Sequence, residues 1–455
     1  MSAISSSGSP VTSTIARTMK PLKRGHVVSI WWPLAISWVM MAAGGPIIVP
    51  MVARMPDPEI NLAALGGIVR ALTFGIESPL IMILSASTAL SKDWNSYKRL
   101  RLYTFVGIAI ITCLHAVIVL TPVYHLVTTK LLSVPSEIIQ PGRWGMMITI
   151  PYAGVVAYRR LNQGVLIRYG NTRVIALGTA IRVLSIVMVL VSIYRLSSIS
   201  GVVAGSVAMT VGVTVEAIYV ALIVRPVIRD NLRKAHSVGK PPGPGEFLRF
   251  YLPLAATSVA LLAVQPFVSA AISRMQNPVI SLAVWTPVIG FGFLLASGGL
   301  SMIEVVVALI DRPRALTTLR QFTIFIALAS GLVSLAIAAT PLGVLWFGNV
   351  LGLEGIMLVL AQKSFWLLVP YSAILTFQGF YQGILTSSHQ TRRITESVAS
   401  YALVCSVILI WGVFWSRIAG IYFGVGAVLF GTLVQTLWMH KRSIQVIESI
   451  NVRGE

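Results

Sequence analysis

The sequence predicts an all-α membrane protein, with twelve transmembrane helices in two six-helix, pseudo-symmetric bundles. Three observations predict it. Apolar residues make up 56% of the 455-residue chain and charged residues 11%, with a mean hydropathy of +0.83, far from the balance of a soluble domain. Apolar runs of about 20 residues, the length that crosses a ~30 Å hydrocarbon core, follow one another from residue 28 to residue 439. The second half of the chain also repeats the first. Pro33-Leu34-Ala35 returns as Pro253-Leu254-Ala255, an offset of 220. The same offset pairs Pro46 with Pro266, Arg54 with Arg274, Met55 with Met275, Pro58 with Pro278 and Leu62-Ala63 with Leu282-Ala283. Further on the offset is 219, pairing Pro151-Tyr152 with Pro370-Tyr371, Gln163-Gly164 with Gln382-Gly383, and Gly201 and Gly205 with Gly420 and Gly424.

The spans are placed at 28–51, 62–90, 103–125, 144–167, 174–195 and 202–224 in the first half. In the second half they fall at 248–272, 280–309, 321–345, 357–386, 395–416 and 419–439. Lipid offers no water to unpaired backbone groups, so these long runs of Leu, Val, Ile and Ala are helices rather than barrel strands. The expected organisation is a cytoplasmic tail (1–27), a first bundle (28–224), a charged, Pro/Gly-rich linker (225–247), a second bundle (248–439) and a cytoplasmic tail (440–455). Gly45-Pro46 interrupts the first span and Gln265-Pro266 the seventh, at matching positions. Proline removes a backbone bond and bends a helix. Paired interruptions mark a binding site and hinge, so Pro46 and Pro266 are read as bending points of a transporter whose halves rock about a central site. Each half has an even number of spans, so the repeat axis runs along the membrane normal.

The formal net charge is +21, but its placement excludes nucleic acid as a partner. Basic clusters such as Lys92, Lys98, Arg99 and Arg101, or Arg225, Arg229, Arg233 and Lys234, fall in every second gap between spans. That is the positive-inside pattern of a multi-pass protein of the cell (plasma or inner) membrane, with both termini cytoplasmic. Cys113 and Cys405 lie within apolar runs and read as small apolar fillers rather than a disulfide. The Ser/Thr-rich start lacks an apolar core before Lys20, which argues against a cleavable signal peptide.

Ionisable residues at membrane depth are costly and count as candidate functional groups. They are Arg70, Glu77, Arg159, Arg160, Arg182, Glu216, Glu304 and Lys363. The cations outnumber the anions, and arginine suits bidentate grip on phosphate or carboxylate. Arg70, Glu77, Arg159, Arg160 and Arg182 are therefore candidate substrate ligands, with the repeated amides Gln163 and Gln382. Glu216 and Glu304 are the candidate ion-coupling carboxylates. Each has a plainer alternative. Arg70 and Glu77, two turns apart, either share a site or pair separately with neighbouring helices. Arg159 and Arg160 diverge by about 100° around the helix, so at most one points straight into a central cavity. Arg182 is also placed to pair with Glu216, and Lys363 to reach water. Glu216 matches Gln435 in the repeat, which suits either an ion site or a packing polar residue. Glu77 is set against Ser297. The glycines beside Gln163 and Gln382 suit close helix contact equally well. There is no Walker loop, no HExxH and no metal-ligand spacing, His115 and His125 being ten residues apart. Neither enzyme activity, a metal nor a cofactor is expected.

The run PLAISWVMMAAGGPIIVPMVARMPDPEINLAALGGI resembles the opening of multidrug and toxin extrusion (MATE) proteins. RRLNQGVLIRYGNTRVIALG is similar to that superfamily's turn between its fourth and fifth spans. LHAVIVLTPVYHLVTTKLL and the Gln265-Pro266 step are most similar to the progressive-ankylosis-type branch. The resemblance implies a MATE-like fold and export of an anionic metabolite of the pyrophosphate, nucleotide or citrate class. It also departs from the multidrug pattern, because neither residues 31–52 nor 248–273 contain Asp or Glu to bind a coupling ion. The expected partners are thus an anionic small molecule and the lipid bilayer, with the protein a monomer. The rivals are a flippase for a lipid-linked diphosphate glycan, favoured by a lateral opening between the first and eighth spans, and a multidrug exporter of the same superfamily.

Overall fold

Proline sets where the longest helices break. In the computed structural model, which describes residues 22–171, 173–196, 199–236, 241–388 and 390–454, span 1 (Arg24–Ala53) turns at Ala43 and span 7 (Pro244–Ser273) at Ala263. The cause is shared. Pro46 and Pro266 have no N–H to give the carbonyls of Ala42 and Leu262 four residues back. The remaining first-half spans are 2 (Pro58–Leu90), 3 (Trp94–Leu120), 4 (Ser136–Ile148 with Tyr152–Arg168), 5 (Arg173–Leu196) and 6 (Gly201–Leu232). In the second half they are 8 (Pro278–Leu309), 9 (Ala315–Ala339), 10 (Gly355–Leu368 with Tyr371–Ser387, bent by 41°), 11 (Thr391–Trp415) and 12 (Gly420–Gly454). Ten of these are each long and apolar enough to cross a membrane, and bent span 10 makes an eleventh. Span 4 is the twelfth by position, its two pieces standing 219 residues before those of span 10. Arg143, Arg159, Arg160 and Arg168 lower its hydropathy. Large apolar side chains such as Phe414, Leu403 and Leu332 cover the outside, as a lipid-facing surface requires.

Several expected boundaries are corrected. Span 6 continues to Leu232 and span 7 starts at Pro244, so the linker expected at 225–247 shrinks to 233–243, of which 237–240 lie outside the described residues. The tail expected at 440–455 is helical through Gly454. At ~1.5 Å per residue, span 12 outruns a ~30 Å hydrocarbon core. Of the tail expected at 1–27, residues 1–21 lie outside the described residues, and helix starts at Arg24. Span 3 begins nine residues before its apolar run, because the Asp93 carboxylate caps it, accepting the Asn95 and Ser96 N–H groups at 2.9 Å. It ends at Thr121-Pro122, beyond which Val123–Leu126 runs into a π-helical turn, Val127–Leu131.

The fall in offset from 220 to 219 also has a location. Span 2 contains a π-helical turn at Leu65–Arg70, while span 8 is α-helical from Pro278 to Leu300. A π-helical turn accommodates one extra residue. Beyond it Phe74 matches Phe293 and Ser78 matches Ser297, so the counterpart of Glu77 is Ala296, not Ser297 as the uncorrected offset gave.

The halves exchange the basic-face portions of their first helices. Trp31 Nε1 of span 1 donates to Gly298 O at 2.9 Å, and Tyr251 OH of span 7 donates to Pro79 O at 2.5 Å. These bonds are related by the repeat. Toward the opposite face, spans 2 and 8 pack backbone to backbone. Ser269 Oγ donates to Gly67 O at 2.5 Å, and a Cβ on Gly66 would lie 3.3 Å from Leu282 O and run into Thr286. Glycine there permits the close approach.

Candidate functional site

Between the halves lies a cavity of about 400 Å³. It is lined from both bundles, with Gly45, Pro46, Arg70, Tyr152 and Arg182 on one side and Gln265, Ile289, Tyr371 and Tyr401 on the other. The lining contains two arginines and no carboxylate. Arg70 is the last residue of the π-helical turn, so the inserted residue sets its direction. Its guanidinium lies 5.4 Å from the Phe74 ring and against Gly45, where an added Cβ would come within 3.0 Å of Nη1. Among the described residues, no carboxylate pairs with Arg70. In the second half, Ile289 and Tyr401 occupy the repeat positions of Arg70 and Arg182 and line the same cavity. The positive charge thus comes from one half alone, while Tyr152 and Tyr371 face it as a matched pair.

Behind this wall is a buried polar network joining spans 4, 5 and 6. Glu216, 0% exposed, accepts hydrogen bonds from Arg159 Nη1 and, at 3.3 Å, from Gln163 Nε2. Arg182 Nη1 stands 3.6 Å from the same carboxylate. One negative charge thereby faces two positive ones. Glu77 is also buried and feels the charges of Arg160 and Arg159, but Glu77 Oε2 and the Nε atoms of both arginines lack a protein hydrogen-bond partner. Counting Arg70, Arg159, Arg160 and Arg182 against Glu77 and Glu216 leaves an excess of two positive charges around the cavity. The second half answers this network with neutral groups, Gln378 for Arg159 and Gln435 for Glu216, both buried.

The expected site residues therefore separate. Arg70, Arg182 and Pro46 line the cavity. Arg159, Gln163 and Glu216 are tied to one another behind it, and Glu77, Arg160 and Gln382 are also absent from its lining. Glu304 accepts from Trp38 Nε1 at 3.3 Å on both oxygens, away from the cavity. Pro266 faces a separate apolar groove with Phe267 and Phe414. Lys363 is exposed. The glycines of the repeated Gln-Gly pairs serve close contact. A Cβ on Gly164 would meet Leu84 O at 2.8 Å, and one on Gly383 would meet the repeat-related Ile303 O at 3.0 Å. Tyr152, Tyr371, Tyr401, Gln265 and Gly45 were not singled out from sequence as ligands, although Pro151-Tyr152 and Pro370-Tyr371 are plain in the repeat.

Arg54 and Arg274 were matched in sequence but given no role. Each reaches across to the other half at the face opposite the basic clusters. Arg54 donates from Nη2 to Asn349 O at 2.6 Å and from Nη1 to Val350 O at 3.1 Å, bracing on its own Pro50 O at 2.8 Å. Arg274 donates from Nη2 to Leu131 O at 2.8 Å and Lys130 O at 3.3 Å, and from Nη1 to Leu132 O at 3.2 Å, bracing on Ala270 O at 2.7 Å. The acceptors close the π-helical turns Leu345–Val350 and Val127–Leu131. Carbonyls at a helix end lack partners within the helix and carry its negative pole, and an arginine satisfies both needs.

No protein-family model and no curated protein sequence matches the chain. Solved structures do. A multidrug resistance MATE family transporter of the MOP superfamily, in its inward-facing conformation, aligns at TM-score 0.65 and 14% identity, over 94% of this chain and 99% of that one. The eukaryotic MATE transporter AtDTX14 aligns at TM-score 0.63 and 14% identity, over 95% and 100%. A MOP superfamily transporter from Pyrococcus furiosus, described by a binding pocket of reverse polarity that suggests a different function, aligns at TM-score 0.57 and 14% identity, over 95% and 99%. The fold is that of the MATE transporters, all-α with two six-helix bundles.

Proposed function

We propose that this chain is a secondary transporter that exports an anionic small metabolite, bearing phosphate or carboxylate groups, by alternating access between its two bundles. The observation that carries the reading is the central cavity holding Arg70 and Arg182 with no carboxylate in its lining. Guanidinium forks match phosphate and carboxylate oxygens, and a positive cavity walled by low dielectric concentrates anions. An inside-negative potential favours their exit by ~2.3 kcal/mol per charge per 100 mV. The resemblance to progressive-ankylosis-type transporters supports the same class. The pocket description of the Pyrococcus furiosus protein supports the idea that this fold serves cargo other than cationic drugs.

The basic face is taken as cytoplasmic. The Arg54 and Arg274 bonds then hold the outer face shut, and the broken spans 1 and 7 supply the bends on which the halves swing. Span 1 lies along span 8 through Trp31 and Gly298, which disfavours the lateral opening that a lipid-linked glycan requires.

The test is proteoliposomes loaded with labelled citrate, pyrophosphate or ATP. Efflux of at least one, lost in Arg70→Gln and Arg182→Gln proteins that still fold, supports the proposal. Failure of all three, with scrambling of a polyprenyl-diphosphate sugar or export of cationic drugs, overturns it.

A further inference from the structure

A second basic pocket lies at the basic face of the first bundle, between spans 3, 4 and 6, with a volume of about 510 Å³. It shares no lining residue with the central cavity. Its lining brings together Arg101 from span 3 and Arg225, Arg229 and Arg233 from the end of span 6 and just beyond it, again with no carboxylate. Arg229 is paired with Asp230 outside the lining at 3.0 Å. Arg101 and Arg233 instead rest on aromatic faces, 5.5 Å from the Phe105 centroid and 4.6 Å from that of Trp94. Their N–H forks are thereby held without being neutralised. Among the described residues, Arg225 has no anionic partner.

The independent sign of a ligand is Asn162. It lines the pocket from span 4, is 2% exposed, and its side-chain Nδ2 has no hydrogen-bond partner. Buried polar groups are nearly always paired, and an orphan donor facing a cationic hollow marks a place for acceptor oxygens. Asn162 stands six residues before the end of Tyr152–Arg168, ~9 Å up the helix at 1.5 Å per residue. That is roughly headgroup depth. The wall beside it is apolar, with Ala221, Val224 and Ile228, and the same helix presents Leu222 and Ile223 outward.

The shared framework does not impose this pocket. Under the 219 offset, Asn162, Arg225 and Arg229 become Tyr381, Ile444 and Glu448. We infer that the first bundle carries a phosphate-binding site here, in which Asn162 and the unneutralised arginines Arg101, Arg225 and Arg233 hold a phosphate group of an anionic phospholipid headgroup or of a soluble phosphate compound. Basic pockets between transmembrane helices at the cytoplasmic side are suited to this chemistry.

The test uses the full chain in detergent. Binding of phosphatidylglycerol and cardiolipin is read by native mass spectrometry, and of inorganic phosphate and pyrophosphate by thermal shift. The variants are Asn162→Leu, Arg101→Gln/Arg233→Gln and, as a control for the central cavity, Arg70→Gln. Phospholipid retention that falls about tenfold or more in the double arginine variant and severalfold in Asn162→Leu, but not in Arg70→Gln, supports a lipid headgroup. The same pattern with phosphate or pyrophosphate and no lipid retention supports a soluble ligand. Absence of binding, or binding unchanged in folded variants, overturns the inference. Loss only in Arg70→Gln assigns the ligand to the central cavity and also overturns it.

Discussion

Replacing Arg54 and Arg274 together by alanine is expected to release the face they join. Each guanidinium donates to two or three carbonyls of the opposite half. Hydrogen bonds from charged groups contribute about 1.5–3 kcal/mol, and because both side chains are exposed the lower figure applies to each whole cluster, about 1.5 kcal/mol per arginine. The two clusters share no partner, so their contributions add to about 3 kcal/mol, a shift of roughly 150-fold between the closed and open states of that face. A protein closed 99:1 would become about 60% open, and a single variant about a tenth open. The assay is electron–electron distance measurement between spin labels on Glu137→Cys and Ile356→Cys, after Cys113 and Cys405 are replaced by serine. Those two exposed residues sit at repeat-related positions at that face, one in each half. The double alanine variant should show a second, longer distance as its main population. Lysine at both positions should fall between, because an ammonium cannot span two carbonyls as the guanidinium fork does. An unchanged distance distribution in a variant that melts like the parent would refute the reasoning.

Three further outcomes are expected. Gly352 has φ +73°, and an added Cβ would lie 3.0 Å from Arg54 Nη1; Gly352→Ala should open the same face as Arg54→Ala does, by about 1–2 kcal/mol, read from the same labels. Gly45→Ala should displace the Arg70 guanidinium, whose Nη1 would stand 3.0 Å from the new Cβ. Its KM for the transported anion should rise about tenfold with little change in melting temperature, and unchanged transport kinetics would remove Arg70 from the site. Glu216→Gln leaves Arg159 buried without its counter-ion, at a cost of about 3–5 kcal/mol. Arg159→Gln/Glu216→Gln should recover most of that loss in thermal unfolding, since the second half already carries Gln378 and Gln435 there. A double variant no more stable than the single one contradicts this.

Much of the site was legible in the sequence as a set of candidates and little of it as an arrangement. Arg70, Arg182 and Glu216 were all visible as charges inside apolar runs. Nothing in their spacing decided that Glu216 would serve Arg159 and Arg182 while Arg70 stayed without a carboxylate, because those pairings join different helices. Pro46 and Pro266 were read alike, and both do break their helices. Only Pro46 faces the cavity, because Gln265 takes the place beside Pro266. The repeat displayed Arg54 opposite Arg274, yet their acceptors are backbone carbonyls, which carry no letter in the sequence.

The sequence by itself determined the number of spans, their grouping into two halves and the breaks in spans 1 and 7. These follow from apolar length and from proline's missing N–H, which are local properties of the chain. Tertiary structure decided which charges are neutralised and which face the cavity. One extra residue in the π-helical turn at Leu65–Arg70 rotates everything after it relative to span 8, and that register sets the direction of Arg70. Direction in a packed bundle depends on the neighbouring helices, and no single stretch of sequence contains them.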